Sequence, residues 1–169
     1  GASLQNADLS EAKLSRATLD GTDLRNAKLM GADLEFVRAS GATPAHCELQ
    51  GKIYPVDRKA PAITFQLNLP SPWNGKALHF GGGGFDGSLV TGLNNVPHAW
   101  PQSLTPLQRG YATFGSDGGH SGSDPDASFA LNDEALRNFT GDALKKVRDV
   151  AQQLMIRHYG SGPTLTYFA

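Results

Sequence analysis

The sequence predicts an α/β protein whose sheet is preceded by a short repeat segment. Three observations predict it. Leucine recurs every five residues at the start of the chain. Short apolar runs bounded by glycine and proline follow, as strands do. Between the last two of these runs lies a stretch with helical apolar spacing, and strands that alternate with helices indicate an α/β sheet.

Composition sets the outer limits. A chain of 169 residues accommodates one domain and an appendage. With 39% hydrophobic and 18% charged residues it can bury a core. A net charge of −1 argues against a nucleic-acid binder, which needs a basic stripe. No apolar run approaches the ~20 residues of a membrane span. The single cysteine, Cys47, has no partner within the chain, and no Cys/His spacing points to zinc. The chain starts at Gly1 without a signal-peptide pattern and stops at Ala169 inside an apolar run, so a processed or partial sequence is expected.

The first element is the repeat. Leu4, Leu9, Leu14, Leu19, Leu24, Leu29 and Leu34 are each preceded, two residues earlier, by Ala2, Ala7, Ala12, Ala17, Thr22, Ala27 and Ala32. A period of five fits neither 3.6 nor 2.0. It fits a chain that turns a corner every five residues and stacks in coils. These residues, about 2–36, resemble the pentapeptide-repeat family. That resemblance implies a right-handed, four-sided β-helix with the small residue and the leucine pointing inward. Seven units make fewer than two such coils, so the segment must cap something, extend further or fray. It is assigned residues 1–37. A protein-binding platform and a remnant without a partner both fit it, and the remnant is preferred because the polar positions form no chemical cluster.

Residues 38–46 are small and turn-prone and read as a linker. Cys47 to Tyr54 and Ala62 to Leu69 read as the first two strands, with Asp57-Arg58-Lys59 as their turn. Lys76 to Phe80 is a third strand. Pro101 to Arg109 reads as a short helix ended by Gly110, and Tyr111 to Ser116 as a fourth strand. A helix over Asp142 to Tyr159 places Leu144, Val147, Ala151, Leu154 and His158 on one face, with Gly160 as its stop. Thr164 to Phe168 is a fifth strand.

The most informative feature is Gly81-Gly82-Gly83-Gly84, which follows the third strand and is closed by Phe85-Asp86-Gly87. Glycine has no Cβ, so backbone can approach a ligand closely and aim N–H groups at an anion. Ester-cleaving α/β-hydrolases use a loop in this place to hold the oxyanion of a tetrahedral intermediate. A flexible loop without a ligand is the alternative from the glycines alone. A phosphate loop is excluded, because no Gly-Lys-Ser/Thr ending follows and Asp86 puts an acid where phosphate would sit.

Taken in order, the blocks from Cys47 to Ala169 resemble the tannase/feruloyl esterase family. They are Cys47 with Gly51 and Ile53, Leu69-Pro70, Trp73-Asn74-Gly75, the run Gly81 to Gly87 and Gly110-Tyr111-Ala112. Ser116-Asp117-Gly118-Gly119-His120, Asp126 with Ser128-Phe129, Tyr159-Gly160 and Tyr167-Phe168 complete the set. The resemblance implies a serine esterase of α/β-hydrolase fold acting on aromatic acid esters such as galloyl and feruloyl esters, and in one branch a terephthalate monoester. It also implies a Ser-His-Asp triad whose serine follows the strand ending Tyr167-Phe168-Ala169. Residues 47–169 are thus expected to be an incomplete α/β-hydrolase sheet that runs up to the nucleophile strand, inactive by itself.

On that resemblance Gly83 and Gly84 are the expected backbone oxyanion donors. Gly82, Phe85, Asp117 and His120 are the candidates to line the substrate pocket, with a hydrogen-bonded loop anchor the preferred alternative for Asp117 and His120. Ser121 is a poor nucleophile: Ser123 replaces the closing glycine of Gly-x-Ser-x-Gly, and a neighbouring His120 is badly placed to serve it. Asp124, Asp126 and Asp133 do not have EF-hand spacing. No metal or cofactor is expected. His79 is expected beside the core and His158 in a structural place on its helix. His46 and His98 are expected in loops, and Cys47 as a buried thiol. Many relatives bond this cysteine in a disulfide. The expected partner is a small aromatic ester bound by the full-length parent, with no nucleic acid and no membrane; the repeat segment is a candidate for a protein partner. The family is usually secreted or periplasmic. The competing reading is a non-catalytic interaction module that uses the repeat coil.

Overall fold

The computed structural model describes residues 2–19, 21–28, 30, 32–33, 44–84, 87–100, 103–122 and 126–169. Phe85, Leu29, Leu34, Asp124 and most of the expected linker lie outside the described residues.

The five-residue period becomes a twenty-residue one in space. Parallel bridges join Ser3 to Asp23, Asp8 to Lys28 and Lys13 to Asp33, so each strip of chain lies beside the strip four repeats later. The Leu4 N–H donates to the Asp23 carbonyl at 2.8 Å and the Leu9 N–H to that of Lys28 at 2.8 Å. Corners fall two residues after each leucine, where Asn6, Glu11, Arg16, Gly21 and Asn26 all take positive φ between 56° and 66°. Thr22 and Leu24 are buried, whereas Leu4, Leu9, Leu14 and Leu19 are half-buried. The segment is not free-standing: the Asn26 N–H donates to the His46 carbonyl at 3.1 Å.

Among the described residues, five strands form one mixed sheet in the order β1-β2-β4-β3-β5. They are β1 (His46–Ile53), β2 (Ile63–Pro70), β3 (Lys76–His79), β4 (Ala112–Ser116) and β5 (Leu165–Phe168). The β1/β2 and β2/β4 pairs are antiparallel; β4/β3 and β3/β5 are parallel. The expected strands therefore form with ends shifted by a residue or so. His46 is a correction. It opens β1 rather than sitting in a loop, is 3% exposed, and has Nδ1 2.8 Å from the Pro44 carbonyl. Ala45 is buried too, and its carbonyl accepts from the Ser71 N–H, so the end of the expected linker is packed structure.

One sheet face carries the hydrophobic core: Ile63, Phe65, Leu67, Leu69, Ala77, Ala112 and Phe114 pack under a long helix. That helix, α2 (Ala143–Tyr159), ends at Gly160 with φ 77°, as its sequence requires. A short 3-10 turn at Ser128–Leu131, helix α1 (Asp133–Arg137) and a π-helical turn at Asn138–Asp142 lead into it. The Asn132 side chain caps α1 by accepting from the Glu134 and Ala135 N–H groups. The buried stripe of α2 is Ala143, Val147, Ala151 and Met155. The expected stripe is right at Val147 and Ala151 but wrong at Leu144, 40% exposed, and at His158, exposed at the helix end. The alanines let the helix sit close on the sheet, which turns a stripe of four-residue steps inward and the bulkier Leu144 out. Leu154 packs at the core's edge.

The other face is polar and still buried. Gln66, Asn68 and Thr113 are at most 1% exposed. Gln66 donates to Asn68 Oδ1, and Asn68 Nδ2 donates to Thr113 Oγ1 and to the Thr91 carbonyl. The expected helix over Pro101 to Arg109 does not form in its described part, where bonds such as Arg109 N–H to the Thr105 carbonyl and Gly110 N–H to that of Leu107 close only turns. Pro106 and Gly110 leave room for a single turn between them.

Candidate active site

The parallel strands β3, β4 and β5 all deliver their carboxyl ends to one edge. There Phe80 N–H donates to the Phe114 carbonyl at 2.8 Å, and Ala169 N–H donates to the His79 carbonyl at 3.0 Å. Gly81 N–H donates to the Ala169 carbonyl at 2.7 Å. The glycine run therefore leaves the sheet beside the end of β5, at the edge where ligands of α/β sheets gather.

Each glycine of the run meets a different constraint. A Cβ on Gly81 would lie 2.7 Å from Phe168 Cζ, so packing demands glycine there. Gly82, Gly83 and Gly84 are exposed. Gly84 has φ +64°, which favours glycine by conformation. A Cβ on Gly83 or Gly84 would find no atom of the described residues within 4 Å. Gly87 admits no side chain: at φ +80°, a Cβ there would fall 2.7 Å from the Gly122 carbonyl oxygen and 3.1 Å from His120 Nε2. Packing thus demands glycine at Gly81 and Gly87, whereas Gly83 and Gly84 stand in open space.

The loop after β4 forms the opposing wall. Asp117 is buried, and its carboxylate accepts from the Thr64 N–H at 3.0 and 3.2 Å and from the Gly119 N–H at 2.9 Å. Its own N–H donates to the Thr64 carbonyl at 3.0 Å. Asp117 thereby ties the loop to β2, which is the geometry of an anchor. Gly119, at φ +87°, lies against Asn138, whose Cβ would be 3.0 Å from a Cβ there. His120 is 3% exposed and stacks on Phe129, centroids 3.9 Å apart, with Phe139 edge-on at 5.5 Å. Among the described residues its Nδ1 is buried without a hydrogen-bond partner. His120 and Gly87 thus come together, while Asp117 faces the other way, into β2.

A supporting network behind this wall escapes sequence reading. The Glu134 carboxylate accepts from the Asp57 N–H at 2.7 Å and the Val56 N–H at 3.2 Å, with Lys146 Nζ at 3.4 Å. The Asp57 N–H is the main cause that holds its carboxyl below the ordinary range. Lys146 also donates to Asn138 Oδ1 at 2.7 Å, which fixes the residue under Gly119. The only trace of this in the sequence is an i, i+12 acid–base pair with no helical register. His79 sits apart from the wall, on the core face. It is 4% exposed, stacked on Phe114 at 4.5 Å, and burial, with Arg148 adding to it, lowers its pKa to about 4.

Comparison with known proteins decides the family. The model for tannase and feruloyl esterase matches residues 47–169, and that for pentapeptide repeats matches residues 7–43 in eight copies. The chain belongs to the tannase and feruloyl esterase family. It is 47% identical over 141 residues to an uncharacterized esterase of Agrobacterium fabrum, covering 76% of this chain and 24% of the relative. It is 30% identical to a mono(2-hydroxyethyl) terephthalate hydrolase of Piscinibacter sakaiensis over 77% of this chain and 23% of that one. Crystal structures of feruloyl esterase B and of an esterase, both from Aspergillus oryzae, superpose with TM-scores of 0.58 and 0.59 at 25% and 23% identity. Each covers 73% of this chain and 22% of the solved one. The sheet and helix of this chain are thus those of feruloyl-esterase-like α/β-hydrolases. The chain spans about a quarter of the length of the curated relatives it matches. Among the described residues no helix is long and apolar enough to cross a membrane.

Proposed function

We propose that this chain is the oxyanion-loop portion of a serine carboxylic ester hydrolase acting on aromatic acid esters. The observation that carries the reading is the bond from Gly81 N–H to the Ala169 carbonyl, with the open, exposed glycines that follow. A residue continuing β5 past Ala169 would run alongside Gly82. A serine there would attack an ester carbonyl within reach of the N–H groups of Gly83 and Gly84. Attack turns the carbonyl oxygen into an oxyanion, and preorganised N–H donors bind that charge better than the neutral ester. The open space over Gly83 and Gly84 leaves room for the acyl carbon. Phe85 and His120 are the candidate residues for binding the aromatic acid. The 169 residues contain no Ser-His-Asp set of their own in this reading, so the chain is inactive alone. The repeat segment, four units to a coil, serves as an N-terminal brace on the start of β1.

Two assays test this. The purified chain should not hydrolyse p-nitrophenyl esters or methyl ferulate above buffer. A chimera in which residues 47–169 replace the corresponding part of the Agrobacterium relative should hydrolyse them. A chain active alone, or a folded chimera that is inert, would contradict the proposal.

A further inference from the structure

A cavity of about 640 Å³ opens between α2 and β5. Leu144 and Arg148, one helical turn apart on α2, line one side of it, with Lys145 beside them. His79, Thr166 and Phe168 line the other, and the β3/β5 register puts all three on one face of the sheet. No Asp or Glu is among the lining residues. Lys145 and Arg148 both pair with Asp149, at 2.6 and 2.8 Å, so two cations share one carboxylate and one positive charge is left over. Arg148 engages Asp149 through Nε and Nη2, which leaves Nη1 for another acceptor. His79 is 4% exposed, and among the described residues its Nε2 has no partner.

We propose that this cavity binds a small aromatic monocarboxylate, with the carboxylate at Arg148 and the ring against Leu144 and Phe168. Cavities of this size, part apolar with a few polar groups, hold small molecules. A carboxylate accepts from the free Nη1 in a charge-assisted bond and neutralises the surplus charge. It is also the acceptor that the His79 ring lacks when Nε2 carries the proton. Leu144 and Phe168 are 40% and 61% exposed, so a ring laid on them takes apolar surface out of water. An aliphatic carboxylate supplies only the charge and an uncharged aromatic only the ring, so neither uses both halves of the site. The glycines at 81–84 do not line this cavity, so its ligand is independent of whether they serve an oxyanion.

The test titrates the 169-residue chain with sodium benzoate at constant ionic strength and follows backbone amides by NMR. Saturable shifts should appear at Leu144, Arg148, Thr166 and Phe168. Acetate and benzyl alcohol, which carry the charge and the ring separately, should each bind more weakly than benzoate by about tenfold or more. Arg148→Gln should weaken benzoate by about tenfold or more, and Lys145→Gln by a smaller factor. Both side chains are exposed, 46% and 72%, so both variants should keep the fold, which unchanged Ile63 and Leu67 amides report. Shifts that do not saturate, acetate that binds as tightly as benzoate, or binding that survives Arg148→Gln in a folded chain would overturn the proposal. So would saturable shifts confined to Gly82 to Gly84. Shifts at the cavity that follow protein concentration without benzoate would overturn it as well, since they mark a second copy on this face.

Discussion

Protonation of His79 should destabilise this protein from within its core. The ring is buried against Phe114 and Phe168, and among the described residues its Nε2 has no hydrogen-bond partner. Burial therefore opposes the cation, as does the nearby charge of Arg148, and the pKa falls from 6.5 to about 4. The unfolded chain binds a proton at this site more readily than the folded one. Stability from His79 is thus fully present above pH 6.5 and is lost as pH falls from 6.5 towards 4. The fall corresponds to about 3 kcal/mol in total, of which about 2 kcal/mol is lost between pH 7.5 and pH 5. His46 is also lowered by burial, and several surface carboxylates are lowered, first by hydrogen bonds, so acid weakens the fold through them as well. A difference measurement isolates His79. Urea melts of wild type and His79→Phe at pH 7.5 and pH 5 should show the stability gap between them moving by about 2 kcal/mol in favour of the variant at pH 5. A gap that does not change with pH would refute the reasoning.

Other perturbations follow from packing and caps. Gly51→Ala puts a Cβ 2.7 Å from the Phe65 ring and should cost about 1–3 kcal/mol in a urea melt. Met155→Ala removes a side chain that is wholly buried under α2 and should cost about 2–5 kcal/mol by the same assay. Asn132→Ala removes the cap of α1 and its bond to Asp57, and should lower stability by about 1 kcal/mol while raising exchange of the Glu134 and Ala135 amides.

The strands were legible because their signals are local. β2 alternates apolar residues toward the core, and Gly81 to Gly84 mark the end of β3 by their own chemistry. The twenty-residue spacing of the bridges equals four of the five-residue periods. What sequence reading missed depends on distant partners. Leu144 and Met155 exchange roles because the sheet below sets how α2 is rotated. His46 looks like a loop residue until β1 pairs it opposite Pro70. The candidate site was half legible. The open glycines are visible in the sequence, but the Gly87–Gly122 approach joins residues 35 apart and has no local signature. Asp117 reads from sequence as pocket wall or loop anchor, and its bonds to Thr64 and Gly119 depend on partners that no local motif names.

The central claim is that backbone N–H groups of the glycine loop serve an ester's oxyanion. Gly83 tests it most directly, because a side chain there meets open space. In the chimera with the Agrobacterium relative, Gly83→Ala keeps the N–H and Gly83→Pro removes it. The account predicts that Gly83→Ala stays within a few-fold of the parent. Gly83→Pro should lose kcat by about 10²–10³ with little change in KM. Equal kcat for the folded alanine and proline variants would contradict it.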